Sequence, residues 1–398
     1  MQRRSFLLGA GTAAASLVLG DSARGFAANE TVCVGVIGTG GRARHLMKPL
    51  SELPGVRIVA LCDVWDNAVS QAAPLADPKA TATKASAELL ANKDIDAVLI
   101  GTPDHHHAPM TLAAIAAGKD VYAEKPLTHS AAEGAGLLKA AGETKQVVQV
   151  GMQQRSMPHL QKAREIVQGG GLGRVVKVRM SWNRNTDRVK RFPLGVDPKS
   201  VDWQAFLGTA PQQKFDEYTF RNWRWFWDFG GGIFTDLMVH WVDVAHWVLG
   251  IDTPTSAVSV GDFVNAKGIW QTPDTVQTLL QYPGPIQMQF EGTFSNAANA
   301  ARIEFLGTKA NLYADRGRIE VTPEPRSKVE PYAMILGDGP KGADFYKTPD
   351  GEKLHLANWI DCVRSRKQPN APLKAGITSA AAAHLANAAL RGNGVAKQ

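Results

Sequence analysis

The spacing of apolar and polar positions changes character once along the 398-residue chain, near residue 150. Before it, short apolar runs at 32–37, 56–62, 80–83, 96–101, 120–123 and 146–150 alternate with stretches of helical period at 42–53, 65–75, from Ser86, 108–117 and 130–142. Continuous β-branched runs, as opposed to in–out alternation, mark strands buried on both faces. Six such strands separated by helices predict a doubly wound parallel α/β domain over residues 31–151. After it comes a strand at 175–182, an irregular Arg- and Trp-rich stretch at 183–230 and a helix at 233–249. Strands at 256–264, 275–282, 286–294, 301–306, 311–315 and 318–322 then follow without helices between them, and helices at 354–364 and 377–390 close the chain. This predicts an α+β domain over residues 152–398 with a mainly antiparallel sheet, and residues 324–350, rich in Pro and Gly, read as loop.

The first 27 residues stand outside this pattern. Arg3-Arg4-Ser5-Phe6-Leu7-Leu8 leads into a weakly apolar Gly/Ala run and a small-residue site near Ala27. That is the pattern of a twin-arginine export signal, implying a periplasmic protein that meets the twin-arginine translocase. The run is too short for a stable membrane span. Net charge is +7 in all, dispersed, with no basic block interleaved with aromatics, so nucleic-acid binding has no footprint. Three cysteines, Cys33, Cys62 and Cys362, without C-x-x-C spacing, read as small core residues, not a disulfide framework or zinc site.

The candidate chemistry starts at the first strand. Gly38-x-Gly40-x-x-Ala43 follows it and opens a helix, the dinucleotide fingerprint in its G-x-G-x-x-A form. Gly38, Thr39, Gly40, Gly41 and Arg42 would bring backbone N–H groups and a helix N-terminus to a pyrophosphate. Asp63 ends the second strand, where a carboxylate takes the ribose hydroxyls of NAD. Thr102-Pro103-Asp104-His105-His106-His107 and Glu124-Lys125-Pro126 leave the fourth and fifth strands, on the same edge of the sheet. Lys125 there can pass a proton to or from a substrate hydroxyl. Three adjacent histidines on a turn point in different directions, so a metal tract is disfavoured and His107 is expected beside the cofactor.

A second focus is Gly230-Gly231-Gly232 followed by Asp236, His240, Asp243 and Trp247, which share one face of a helix. Catalysis and a satisfied structural histidine both fit this stripe, and only two metal ligands are visible on it. Trp182, Arg184, Arg221, Trp223, Arg224, Trp225, Trp227 and Asp228 are either core and dimer interface or a platform for a sugar ring.

With these motifs together, the chain resembles the Gfo/Idh/MocA family of oxidoreductases over nearly its whole length beyond the export segment. The resemblance implies a Rossmann domain followed by a domain with a large open sheet that often makes dimer or tetramer contacts. It implies Lys125, Asp236 and His240 as catalytic residues, with Thr102, Pro103, His107 and Glu124 beside the cofactor. It further implies hydride transfer between NAD and a hydroxyl or carbonyl of a carbohydrate, with Arg155, Trp182, Arg224, Trp225, Asp236 and His240 facing the substrate. Asp63 favours NAD, while Arg42 and Arg44 leave NADP open. An exported protein has no free NAD to exchange, so a tightly held cofactor is expected. That favours chemistry returning the cofactor to its starting state: a sugar–sugar oxidoreductase or a redox-neutral NAD-dependent glycosidase. A non-catalytic sugar sensor is the reading outside enzymology.

Overall fold

The computed structural model describes residues 31–190, 194–337, 350–392 and 394–397. The expected export segment, residues 1–27, lies outside them. Six parallel strands, β1 (Val32–Ile37), β2 (Val56–Cys62), β3 (Thr81–Thr83), β4 (Ala97–Ile100), β5 (Asp120–Ala123) and β6 (Val148–Val150), form one sheet in the order β3-β2-β1-β4-β5-β6. This is the doubly wound arrangement expected from the sequence, with the order reversing at β1/β4. Helices α1 (Gly41–Ser51), α2 (Asp66–Ala72), α3 (Ser86–Ala91), α4 (Asp104–Ala116) and α5 (Glu133–Glu143) make the crossovers. The β1, β4 and β5 side chains are almost all buried, which is why these runs carry no polar alternation.

The second half adds α6 (Pro158–Gln168), β7 (Val175–Asn183), and the short helices α7 (Trp203–Leu207) and α8 (Glu217–Arg221). A single π-turn at Phe234–Met238 runs into α9 (Val239–Leu249). Then come β8 (Ser256–Asp262), β9 (Thr275–Gln281), β10 (Gln287–Thr293), β11 (Ala301–Gly307), β12 (Ala310–Asp315), β13 (Arg318–Pro323) and β14 (Tyr332–Ile335). Helices α10 (Gly351–Ser365) and α11 (Leu373–Arg391) and a last strand, β15 (Val395–Lys397), finish the chain. The nine strands order as β14-β13-β12-β11-β7-β10-β9-β8-β15, antiparallel except for the β7–β10 pair. Along β9 and β10 buried and exposed positions alternate, so one sheet face packs on α6, α9 and α11 and the other is open.

Two elements depart from the pattern-based expectation. β14 lies inside the stretch read as loop, because an edge strand with exposed Tyr332 and Ile335 carries no alternation. Helix α10 sits late in sequence yet buries Leu356, Trp359 and Ile360 against Val34, Leu46 and Tyr122, covering one face of the first sheet. The three cysteines are free thiols, two of them buried. Among the described residues no helix is long and apolar enough to cross a membrane.

Candidate active site

Every parallel strand delivers its carboxyl end to one edge, and a cleft of about 890 Å³ opens there. Gly38 makes the turn out of β1 at φ +80°, and a Cβ there would lie 2.6 Å from the Thr102 backbone nitrogen. Only glycine closes that turn. Beyond it, a Cβ on Gly40 or Gly41 would meet nothing within 4 Å, so the first turn of α1 is an open cradle, without a side-chain cap. Uncapped N–H groups at a helix start suit the phosphates of a dinucleotide. Asp63, at the end of β2, lines the same cleft. Its carboxylate is fixed by the Thr39 N–H at 2.6 Å, the Thr39 hydroxyl at 3.2 Å and the Trp65 N–H at 2.9 Å. Burial pushes this carboxyl up from its ordinary value, and the Thr39 and Trp65 donors oppose that. Thr39 therefore stands behind Asp63 and does not itself line the cleft.

Arg42 donates Nε and Nη2 to Glu124 at 3.0 and 2.9 Å and Nη1 to Glu352, and Arg44 donates to the Thr39 carbonyl at 3.0 Å. Both guanidinium groups are thus engaged by the protein beside Asp63, an arrangement suited to a free ribose hydroxyl more than to a further phosphate. The residues present fit NAD.

Thr102, Pro103 and His107 also line the cleft. Helix α4 starts at Asp104, four residues before the expected 108, so the histidine tract is its first turn. His107 is held by the Pro126 carbonyl at 2.7 Å and the Thr102 carbonyl at 2.9 Å, tying two strand-end loops together. His105 and His106 both place Nε2 2.8 Å from the Phe206 carbonyl, under residues 194–229. Among the described residues no His, Cys, Asp and Glu group is arranged to hold a metal ion.

The reacting end is built where Lys125 meets the π-turn. Lys125 Nζ donates to the Asp236 carbonyl at 2.7 Å and to Asp236 Oδ1 at 3.1 Å, and the Arg224 Nε lies 3.4 Å from the same Oδ1. Burial raises the Asp236 carboxyl, but Lys125, Arg224 and Arg188 outweigh it and hold the group well below the usual carboxylate range. His240 faces the cleft beside Trp182, ring centroids 5.3 Å apart, with a buried Nδ1 that has no hydrogen-bond partner. Burial, then Lys125 and Arg316, push the imidazole well below its ordinary value, so it is neutral near pH 7. The glycine triplet allows this assembly: a Cβ on Gly230 would sit 2.9 Å from the Arg224 Cα, and one on Gly231 2.4 Å from Thr235 Cγ2.

Three expected contacts resolve differently. Asp243, on the same predicted stripe as Asp236 and His240, is buried away from the cleft in a bidentate pair with Arg155, both contacts 2.8 Å. Arg155, expected at the substrate, is spent in that pair. Trp225, also expected there, stacks on Trp270 at 4.3 Å in the core beneath the site. Trp182 does line the cleft, yet it is only 4% exposed, with Arg184, Arg316 and His240 around its ring. It offers a seat for guanidinium groups instead of an open face for a pyranose. One ionisable group the sequence reading left out is Asp104, which burial pushes up to about 7 against the pull of Lys125 and Arg224. Its only signal was adjacency to Thr102-Pro103.

With fold and site in hand, comparison with known proteins is direct. Residues 32–152 match the model of an oxidoreductase family with an NAD-binding Rossmann fold, and residues 160–313 match the GFO/IDH/MocA C-terminal domain. The chain belongs to the GFO/IDH/MocA oxidoreductase family, and it is an NAD-binding enzyme of that class. It is 28% identical over 374 residues to an inositol 2-dehydrogenase of Rhizobium meliloti, covering 91% of this chain and 96% of that one. Its fold is similar to that of a levoglucosan dehydrogenase in complex with NADH (TM-score 0.73, 17% identity, 92% of this chain and 99% of that one). It is also similar to an aldose-aldose oxidoreductase from Caulobacter crescentus (TM-score 0.69, 18% identity, 92% and 100%).

Proposed function

We propose that the protein oxidises and reduces a hydroxyl/carbonyl pair on a sugar or cyclitol, with NAD retained and returned to its starting state within each cycle. The observation that carries this reading is Lys125 Nζ, fixed at 2.7 and 3.1 Å on Asp236 at the reacting end of the cleft, beside a neutral His240. NAD, when bound along Gly38, Gly40, Gly41 and Asp63, supplies the hydride-transfer chemistry. In the reducing direction the Lys125 ammonium gives a proton to the substrate oxygen; in the oxidising direction its amine form takes that proton from the hydroxyl. Asp236 stays ionised and orients Nζ, acting as a positioning residue. The neutral His240 imidazole hydrogen-bonds the same hydroxyl or a neighbouring one without adding charge.

The Arg3-Arg4 export pattern supports a periplasmic location reached through the twin-arginine translocase, as a folded protein with its cofactor inside. Val258, Val260 and Leu279, exposed on β8 and β9, support a homodimer or homotetramer built on the sheet. The test is nicotinamide absorbance of the NAD-loaded protein with excess NAD and a panel of sugars, cyclitols and glycosides, alongside an assay of released product. Product accumulating while absorbance rises by no more than one equivalent per chain is the expected result. Absorbance climbing over many turnovers would replace internal return with ordinary dehydrogenation, and release of aglycone without a second sugar would point to the glycosidase route.

A further inference from the structure

The charges at the reacting end narrow the substrate, an inference that rests on the oxidoreductase reading above. Four guanidinium groups reach this end from three separate segments: Arg184 and Arg188 just after β7, Arg224 in the turn before the glycine triplet, and Arg316 between β12 and β13. All line the cleft that holds Lys125, Asp236 and His240. Each is also oriented by an aromatic ring. Arg184 and Arg316 lie 5.5 and 5.7 Å from the Trp182 centroid, Arg188 lies 5.2 Å from Phe294, and Arg224 lies 4.2 Å from Trp223. Stacking uses the flat face of a guanidinium and fixes its plane, and the N–H fork in that plane is the part shaped for an oxyanion.

These cations act on the reacting groups and not only on solvent. Arg224 and Arg188 help hold the Asp236 carboxyl down, and Arg316 helps keep His240 neutral. The cofactor phosphates do not account for them. Those phosphates belong at the uncapped start of α1 in the first domain, whereas all four arginines come from the second. Nor is this how a neutral polyol is bound, since ring hydroxyls call for mixed donors and acceptors and an open aromatic face, and the Trp182 ring is already covered.

We propose that the substrate is an anionic sugar, bearing a carboxylate or a sulfate or phosphate ester, whose charged group is received by Arg184, Arg188 and Arg316. The hydroxyl that reacts then faces Lys125 and His240. In oxidation its O–H proton passes to the Lys125 amine, and the carbinol C–H bond breaks with its electron pair going to NAD, leaving the carbonyl. The anion is a handle and does not change in the reaction.

The experiment uses the NAD-loaded protein and matched pairs: D-glucose with D-glucuronate, D-galactose with D-galacturonate, and D-glucose 6-sulfate and 6-phosphate. Binding is read by calorimetry and kcat/KM by nicotinamide absorbance. The anionic member should be favoured about tenfold or more, as expected for one charge-assisted bidentate contact. The advantage should shrink as ionic strength rises from about 0.05 M to about 0.5 M. Arg188→Gln and Arg316→Gln should each pull the anionic-to-neutral ratio toward one, while Arg188→Lys retains part of it; NAD content per chain shows that each variant is folded. A preference for uronate selects the carboxylate, and one for a 6-ester selects sulfate or phosphate; either supports the proposal. Neutral sugars bound and oxidised as well as their anionic partners would overturn it and leave the oxidoreductase reading intact. No sugar of either charge bound or oxidised would overturn both.

Discussion

Replacing Asp243 by Asn tests whether the polar stripe that begins at Asp236 and His240 is chemistry along its whole length. Arg155 Nε and Nη2 contact the two Asp243 oxygens at 2.8 Å each, and the side chains are 9% and 1% exposed. The other partners of this guanidinium are the Asn370 carbonyl at 3.4 Å and the Trp247 ring at 5.7 Å. Burial pushes the Asp243 carboxyl above its ordinary value even with Arg155 on it, so the pair is costly to bury and costlier to break. Removing one charge of such a pair costs about 3–5 kcal/mol, which at roughly 2–4 °C per kcal/mol lowers Tm by roughly 6–20 °C. Arg155→Met with Asp243→Leu, which buries no lone charge, should recover most of that loss. The assay is scanning calorimetry at matched NAD content, with kcat measured well below the variant's Tm. A single variant with unchanged Tm and a hundredfold lower kcat would refute the structural role. A double variant as unstable as the single one would refute the lone-charge explanation.

Lys125→Ala should lower kcat about 10²–10⁴-fold, the usual worth of a positioned proton-transfer group, while NAD content per chain stays near that of the parent protein; full activity would remove Lys125 from the mechanism. Gly38→Ala places a Cβ 2.6 Å from the Thr102 nitrogen at φ +80°, so purified protein should carry little or no NAD, measured by absorbance after denaturation. Stability should rise between about pH 4 and 6.5, because burial holds His355 and His384 down to about 4 and His246 to about 3. Their folded pKa values lie below the unfolded value, so the unfolded chain binds more protons in that window and the contribution is lost as pH falls through it. Asp104 runs the other way: its carboxyl is raised to about 7, so its contribution falls as pH rises from about 4 to 7, and Asp104→Asn should gain Tm over the parent at pH 8 but not at pH 4.

What could be read from sequence was the part of the site that local rules place. The β1–α1 turn, Asp63, and Lys125 after β5 each sit at a parallel-strand end, and the topology obliges such ends to converge. His240 was found by its four-residue spacing from Asp236, but spacing on an ideal helix does not say which side chains face a cleft. The π-turn at Phe234–Met238 changes the winding just before α9, and Asp243 is claimed by Arg155, nearly ninety positions upstream. Helix α10 shows the same limit at the level of the fold. Leu356 and Trp359 announce an apolar face, yet only tertiary structure sends it back to the first sheet and puts Glu352 on Arg42.

The arginines of the reacting end lie beyond local reading altogether. Arg316 occupies a tight turn, Asp315-Arg316-Gly317-Arg318, that any hairpin could carry. It reaches Trp182 only because β11 pairs with both β7 and β12, so the β12–β13 turn lies near the end of β7. The cofactor half of the cleft is thus specified by contiguous motifs, and the substrate half by strand order. One fold can keep the first fixed while loops at the ends of the second sheet vary the charge offered to the substrate. Substrate class in this architecture is therefore to be sought in the turns that the sheet order gathers around Trp182, not in the motifs that identify the enzyme.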